Sequence, residues 1–146
     1  MKKRLIIAVV ICFLFSFAIP MSVSATTNEE HIAPRASYYL DAYSAYVYVT
    51  PSGEVQVWFD VMGTGDMDEI GALSILLYES TDGVNWTWAK TWRYEATDGM
   101  LFYDDWYVSS YVSCQGSTNK QYKANVCVWA GKNGNGDSRN FWAYQP

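Results

Sequence analysis

The chain has 146 residues, 17% aromatic and 17% charged, with a formal net charge of −5. Setting aside Lys2, Lys3 and Arg4 at its start leaves 7 of the 10 basic residues against 15 acidic ones, a net charge of −8. That balance repels a nucleic acid or an anionic membrane rather than steering either in, and sparse charge with abundant Tyr and Trp describes an exported globular domain rather than a disordered tail.

After the three basic residues an uncharged apolar run extends from Leu5 to Ile19, and Val23-Ser24-Ala25 puts small residues where signal peptidase reads them. The pattern predicts a signal peptide over residues 1–25, cleaved after Ala25, with an uncleaved anchor as the alternative. The apolar run of about 15 residues is short of the roughly 20 that cross a bilayer, so no membrane association is expected after cleavage. Residues 26–36 read as a polar lead, and residues 37–146 as one domain long enough to bury its own core.

From residue 37 the chain becomes a series of short segments of period near two. SYYLDAYSAYVYVT (37–50) is rich in Tyr and β-branched residues and ends in the turn Pro51-Ser52-Gly53. EVQVWFDVM alternates, with Val55, Val57, Phe59 and Val61 to one side and Glu54, Gln56, Trp58 and Asp60 to the other. GTGDMDE reads as a loop, followed by the strands IGALSILLYES and NWTWAKTWRY. An irregular stretch, EATDGMLFYDDW, precedes YVSSYVS, and GSTNKQ reads as the loop of a hairpin to KQYKANVCVWA. The cluster GKNGNGDS turns the chain into a last strand, RNFWAYQ. About seven strands without helices predict an all-β, antiparallel sandwich of the immunoglobulin or fibronectin-III type. Tyr122, two residues before Ala124 at the start of the penultimate strand, has the placement of a tyrosine corner.

Ser80-Thr81-Asp82-Gly83-Val84-Asn85-Trp86 is similar to the aspartate-box turn of sialidases but one residue short, and reads as a structural turn. Gly83 accepts positive φ, and the Asp82 carboxylate accepts from backbone N–H groups just after it. A bend centred on Gly83 predicts Tyr78 opposite Trp88, Leu76 opposite Lys90 and Ser74 opposite Trp92. Leu73, Ile75 and Leu77 with Ala89, Thr91 and Arg93 then form the core side. The other side presents Tyr78, Trp88, Lys90 and Trp92 as a candidate ligand platform or self-association surface, unless LFYDDWY folds over these rings or they are ordinary cross-strand pairs.

Reactive groups are few. The sole histidine, His31, lies in the polar lead, so a Ser or Cys nucleophile has no histidine base. The acidic groups Asp66, Asp68, Glu69 and Asp104, Asp105 leave a carboxylate-based hydrolase as a third reading. Asn133, Asn135 and Asp137 alternate like calcium ligands, but the closing twelfth position is Tyr144, so no metal is expected, and no cofactor is implied. In the hairpin register Cys114 faces Tyr122, too far from Cys127 for a bridge. Two free cysteines are favoured over one disulfide.

Ile32-Ala33-Pro34-Arg35-Ala36-Ser37, Gly63-Thr64-Gly65, Ile70-Gly71-Ala72, and Gln115-Gly116 leading to Tyr122-Lys123-Ala124 and Ala130-Gly131 resemble a family of small secreted proteins. That family belongs to Clostridia-like Gram-positive bacteria and has no assigned function. The resemblance implies a bacterial secreted sandwich and brings no catalytic residues. The expected role is a non-catalytic interaction module for a saccharide or protein at a cell surface, with a bacteriocin-like toxin as the alternative.

Overall fold

The computed structural model describes residues 37–146. The expected signal peptide, its cleavage after Ala25, the lead over 26–36 and His31 lie outside the described residues. Within them the chain is all-β and antiparallel, a curled sheet without an α-helix. Its strands are β1 (Leu40–Val49), β2 (Glu54–Ser80), β3 (Thr87–Arg93), β4 (Leu101–Gln115), β5 (Gln121–Lys132) and β6 (Asn135–Tyr144), with a 3-10 turn at Tyr94–Ala96 after β3.

Six strands stand where about seven were expected, because the segments on either side of GTGDMDE are one strand of 27 residues. The expected loop stays extended and bends instead. Met67 turns into the core, and a Cβ on Gly63 would lie 2.7 Å from Met67 Cγ. Against β4 the register slips between Met62, opposite Tyr107, and Met67, opposite Asp105. Surplus residues on one strand of a pair bend it. A second bend falls at Gly71, where φ is 147° and any side chain would collide with the Met100 carbonyl, which accepts from the Ala72 N–H at 2.7 Å.

These bends let β2 change partners. Its first half lies between β1 and β4, and its second half between β3 and β5, with β6 beyond β5. The hairpin expected between β4 and β5 is therefore absent: Cys114 opposes Val55 in the first half, and Tyr122 opposes Glu79 in the second. The loop between them carries the chain from one half to the other. Both thiols are free, and burial pushes both above the ordinary cysteine value. LFYDDWY, expected to be irregular, is the start of β4.

The inward faces of both halves make one apolar cluster. Val55, Val57, Phe59 and Val61 are fully buried, as their alternation requires. Ile75, Leu77, Val126, Val128 and Met100 join them. Leu73 is only half-buried, because it is the surplus residue where the β2–β5 register shifts between Ala72 and Ser74.

Candidate functional site

The turn after β2 is built around Asp82. Its Oδ1 accepts from the N–H groups of Val84 (2.9 Å) and Asn85 (2.8 Å) and from the Ser80 hydroxyl (2.8 Å), and its Oδ2 accepts from Asn85 Nδ2 at 2.7 Å. These donors, the Asn85 N–H first, hold the carboxyl well below the usual carboxylate range. Gly83 has φ +73°, and a Cβ there would meet Gln121 Oε1 at 2.7 Å. Asp82 and Gly83 thus act on the backbone of the turn, which leads through Trp86 into β3, where Trp88 lies.

Tyr78 pairs with Trp88, but the register then shifts: Leu77 opposes Lys90, Leu76 opposes Thr91, and Ile75 opposes Trp92. Ala89 is the surplus residue of this bulge. A slip of one residue moves every later side chain to the other face. Trp92, expected on the platform, is therefore 5% exposed and packed in the core, whereas Trp88 is 61% exposed. The expected pairings of Leu76 with Lys90 and Ser74 with Trp92 do not occur, and Arg93, expected inward, is exposed. Lys90 stands over the Trp92 ring, 5.0 Å from its centroid, instead of beside Trp88.

Long-range pairing fills the platform with other residues. Lys123 of β5 lies opposite both Tyr78 and Tyr144, and Asn125 lies opposite Trp142. The Lys123 ammonium is 4.4 Å from the Trp86 ring centroid and 4.9 Å from that of Trp142, which in turn packs on Tyr78 at 5.6 Å. Trp88, Trp142 and Tyr144 remain exposed. Beside them a cleft of about 370 Å³ is lined by Trp86, Gln121, Tyr122, Tyr144, Gln145 and Pro146. Alternation within RNFWAYQ already puts Trp142 and Tyr144 on one face opposite Ala143. What the sequence could not supply is that this face adjoins Tyr78.

The outer face of the first half of β2 is also aromatic. Tyr46, Trp58 and Tyr111 face one another across three strands, with centroids 6.2 and 4.5 Å apart and planes within 4° and 26° of parallel. The Trp58 indole donates to Gln56 Oε1 at 3.0 Å, and Asp60 accepts from Tyr107 and Ser44. Trp58 is paired on both sides in this stack, while Tyr46 and Tyr111 stay about half exposed.

Tyr122 is buried, and its hydroxyl accepts from the Ser117 N–H at 2.8 Å. Of the acidic groups, Asp68 and Glu69 line a cleft with Tyr103, while Asp105 accepts from the N–H groups of Trp106 and Tyr107. Asp137, weighed above as a calcium ligand, accepts instead from the Ser37 hydroxyl and the N–H groups of Tyr38 and Tyr39, tying down the entry to β1. Among the described residues no cluster of three or more His, Cys, Asp or Glu has the arrangement of a metal site. No protein-family model matches the chain, and no curated protein or solved structure matches it closely enough to carry an inference.

Proposed function

We propose that the protein is a secreted, non-catalytic interaction module that binds saccharide at a bacterial cell surface through the outer face of β2, β5 and β6. The observation that carries this reading is the exposed Trp142 and Tyr144 beside Lys123, with exposed Trp88 on the far side of Tyr78, next to the cleft at Trp86. Indole faces stack on the C–H face of a sugar ring, and the ammonium and phenol supply hydrogen bonds to its hydroxyls. Aromatic residues left in water on a rigid strand lose little conformational entropy on binding, which makes them good anchors. The scaffold fits an immunoglobulin-like sandwich, since the two halves of β2 close on one core and Tyr122 ties back to the preceding corner at the penultimate strand.

The test is affinity electrophoresis of the secreted protein through gels containing soluble β-glucan, xylan or mannan. The protein is expected to be retarded by at least one polymer. The double variant Trp88→Ala, Trp142→Ala should migrate freely, the loss corresponding to about 1–3 kcal/mol per anchor ring, and stay folded with its stability lowered by about 0.5–1.5 kcal/mol for the lost Tyr78–Trp142 pair. Unchanged retardation of the double variant, or no retardation of the parent, rejects the reading.

A further inference from the structure

At the far end of β5 a different group of residues forms a second cleft, of about 330 Å³. Trp129 shares its strand face with Lys123 but stands six residues further on, about 20 Å away along an extended strand. One sugar ring cannot touch both. The cleft is lined by Trp129, Asp68, Glu69, Tyr103, Lys132 and Asn135, with Gly131 and Gly134 completing it.

Its floor exists because of two glycines. Gly131 and Gly136 are direct cross-strand partners. A Cβ on Gly131 would lie 2.7 Å from Trp129 Cζ2 and 2.8 Å from its Nε1, and one on Gly136 would collide with the same ring. The indole therefore lies directly over the bare backbone of the β5–β6 hairpin, which no larger residue at either position permits. Its Nε1 is buried and has no hydrogen-bond partner. A buried donor without an acceptor is costly, and this one lies against the Gly131 backbone, so it fixes the ring on the hairpin and leaves ligand contact to the ring and the groups around it.

Oxygen acceptors and donors line the same cleft. Asp68 accepts the Asn133 N–H at 2.6 Å through Oδ2, which leaves Oδ1 free of that bond. Asn135 donates through Nδ2 to the Asn133 carbonyl at 3.2 Å, leaving its amide oxygen as an acceptor. Lys132 is held on the Asp66 carbonyl at 2.7 Å, so the irregular middle of β2 and the β5–β6 turn are tied together at the rim. Tyr103 is exposed beside Glu69, its cross-strand partner. The volume is at the small end of the range for small-molecule sites. Two carboxylates disfavour an anionic ligand and suit one rich in hydroxyl donors.

We infer that this cleft is a separate binding site for a single neutral pyranose, seated on the Trp129 ring with its hydroxyls on Asp68, Glu69 and Asn135. Its residues are not those of the outer-face platform, so either site can fail without the other.

The experiment is an NMR titration of the ¹⁵N-labelled protein with glucose, galactose, mannose and N-acetylglucosamine in turn, reading the tryptophan indole N–H signals. Trp129→Phe identifies the Trp129 signal; should that variant not fold, a signal absent from Trp129→Tyr serves instead. At least one sugar should move the Trp129 signal saturably with a Kd of about 1–10 mM. The movement should weaken at least about tenfold in both Tyr103→Ala and Glu69→Gln, and persist in Trp88→Ala. If no sugar moves the signal, or if it moves equally in Tyr103→Ala and Glu69→Gln, the site does not exist as described.

Discussion

On the outer face of the first half of β2, Tyr46, Trp58 and Tyr111 stack on one another, whereas on the second half Lys123 stands among Trp86, Trp142 and Tyr78. Both faces arise from the same alternation, apolar inward and aromatic outward. They differ in what the ring faces meet. In the first, each ring covers its neighbour, so the stack stabilises strand pairing. In the second, cation–π contact holds a charge among the rings while Trp88 and Tyr144 stay open to water. Tyr46, Tyr111 and Trp142 are equally exposed, at 44%, 45% and 44%, so the two faces differ in the cation among the rings and in the open Trp88 and Tyr144 rather than in exposure alone.

The largest effect expected lies within one strand. Trp92→Ala should cost about 3–5 kcal/mol of folding stability, as expected for a packed indole removed from a core. Trp88→Ala, four residues earlier, should stay within about 0.5 kcal/mol of the parent. Denaturant unfolding of the pair measures both, and similar losses would mean that the bulge at Ala89 does not exist.

The stack on the other face should respond in between. Trp58→Ala removes two aromatic pairs, each worth about 0.5–1.5 kcal/mol beyond simple burial, so a loss of about 1–3 kcal/mol is expected. Polysaccharide retardation should be unaffected. Were it abolished in a folded Trp58→Ala protein, the two faces would have been assigned the wrong way round.

Acid should loosen the turn that carries Trp86 to Lys123. Asp82 is held low by the N–H and side-chain amide of Asn85, and Asp137 is held low first by the Ser37 hydroxyl. A depressed folded-state pKa contributes stability above the unfolded value, near 3.8, which is lost as the pH falls below it toward the folded value. The melting temperature should therefore be level from neutrality to about pH 4 and fall below that. Asp82→Asn should start a few degrees lower at neutral pH and decline less steeply in acid. Parallel decline of parent and variant would place the acid sensitivity elsewhere.

The smallest effect is an expected absence of change. Since Cys114 and Cys127 lie on strands that pair with different halves of β2 and are free, reductant should leave the melting temperature unmoved. A drop on reduction would show the two strands to be closer than the present register allows.

Local chemistry made part of the molecule legible in advance. Alternation in EVQVWFDVM identified the buried row of Val55, Val57, Phe59 and Val61, because a strand's side chains repeat every two residues whatever its partners are. Asp82-Gly83 marked the turn, because positive φ and carboxylate capping are satisfied within four residues. Tertiary structure decided the rest. Whether Glu54–Ser80 is one strand or two depends on Met67 finding a place in the core and on Met100 closing over Gly71. Whether Trp92 faces in or out depends on one surplus residue, Ala89, which shifts the register without altering any local preference. Lys123, Trp142 and Trp129 acquire their neighbours only through pairing of β5 with β2 and β6, contacts between residues far apart in the chain. Period and turn chemistry act over a few residues and are written in the sequence; strand order and register are settled by which pairings bury the core together.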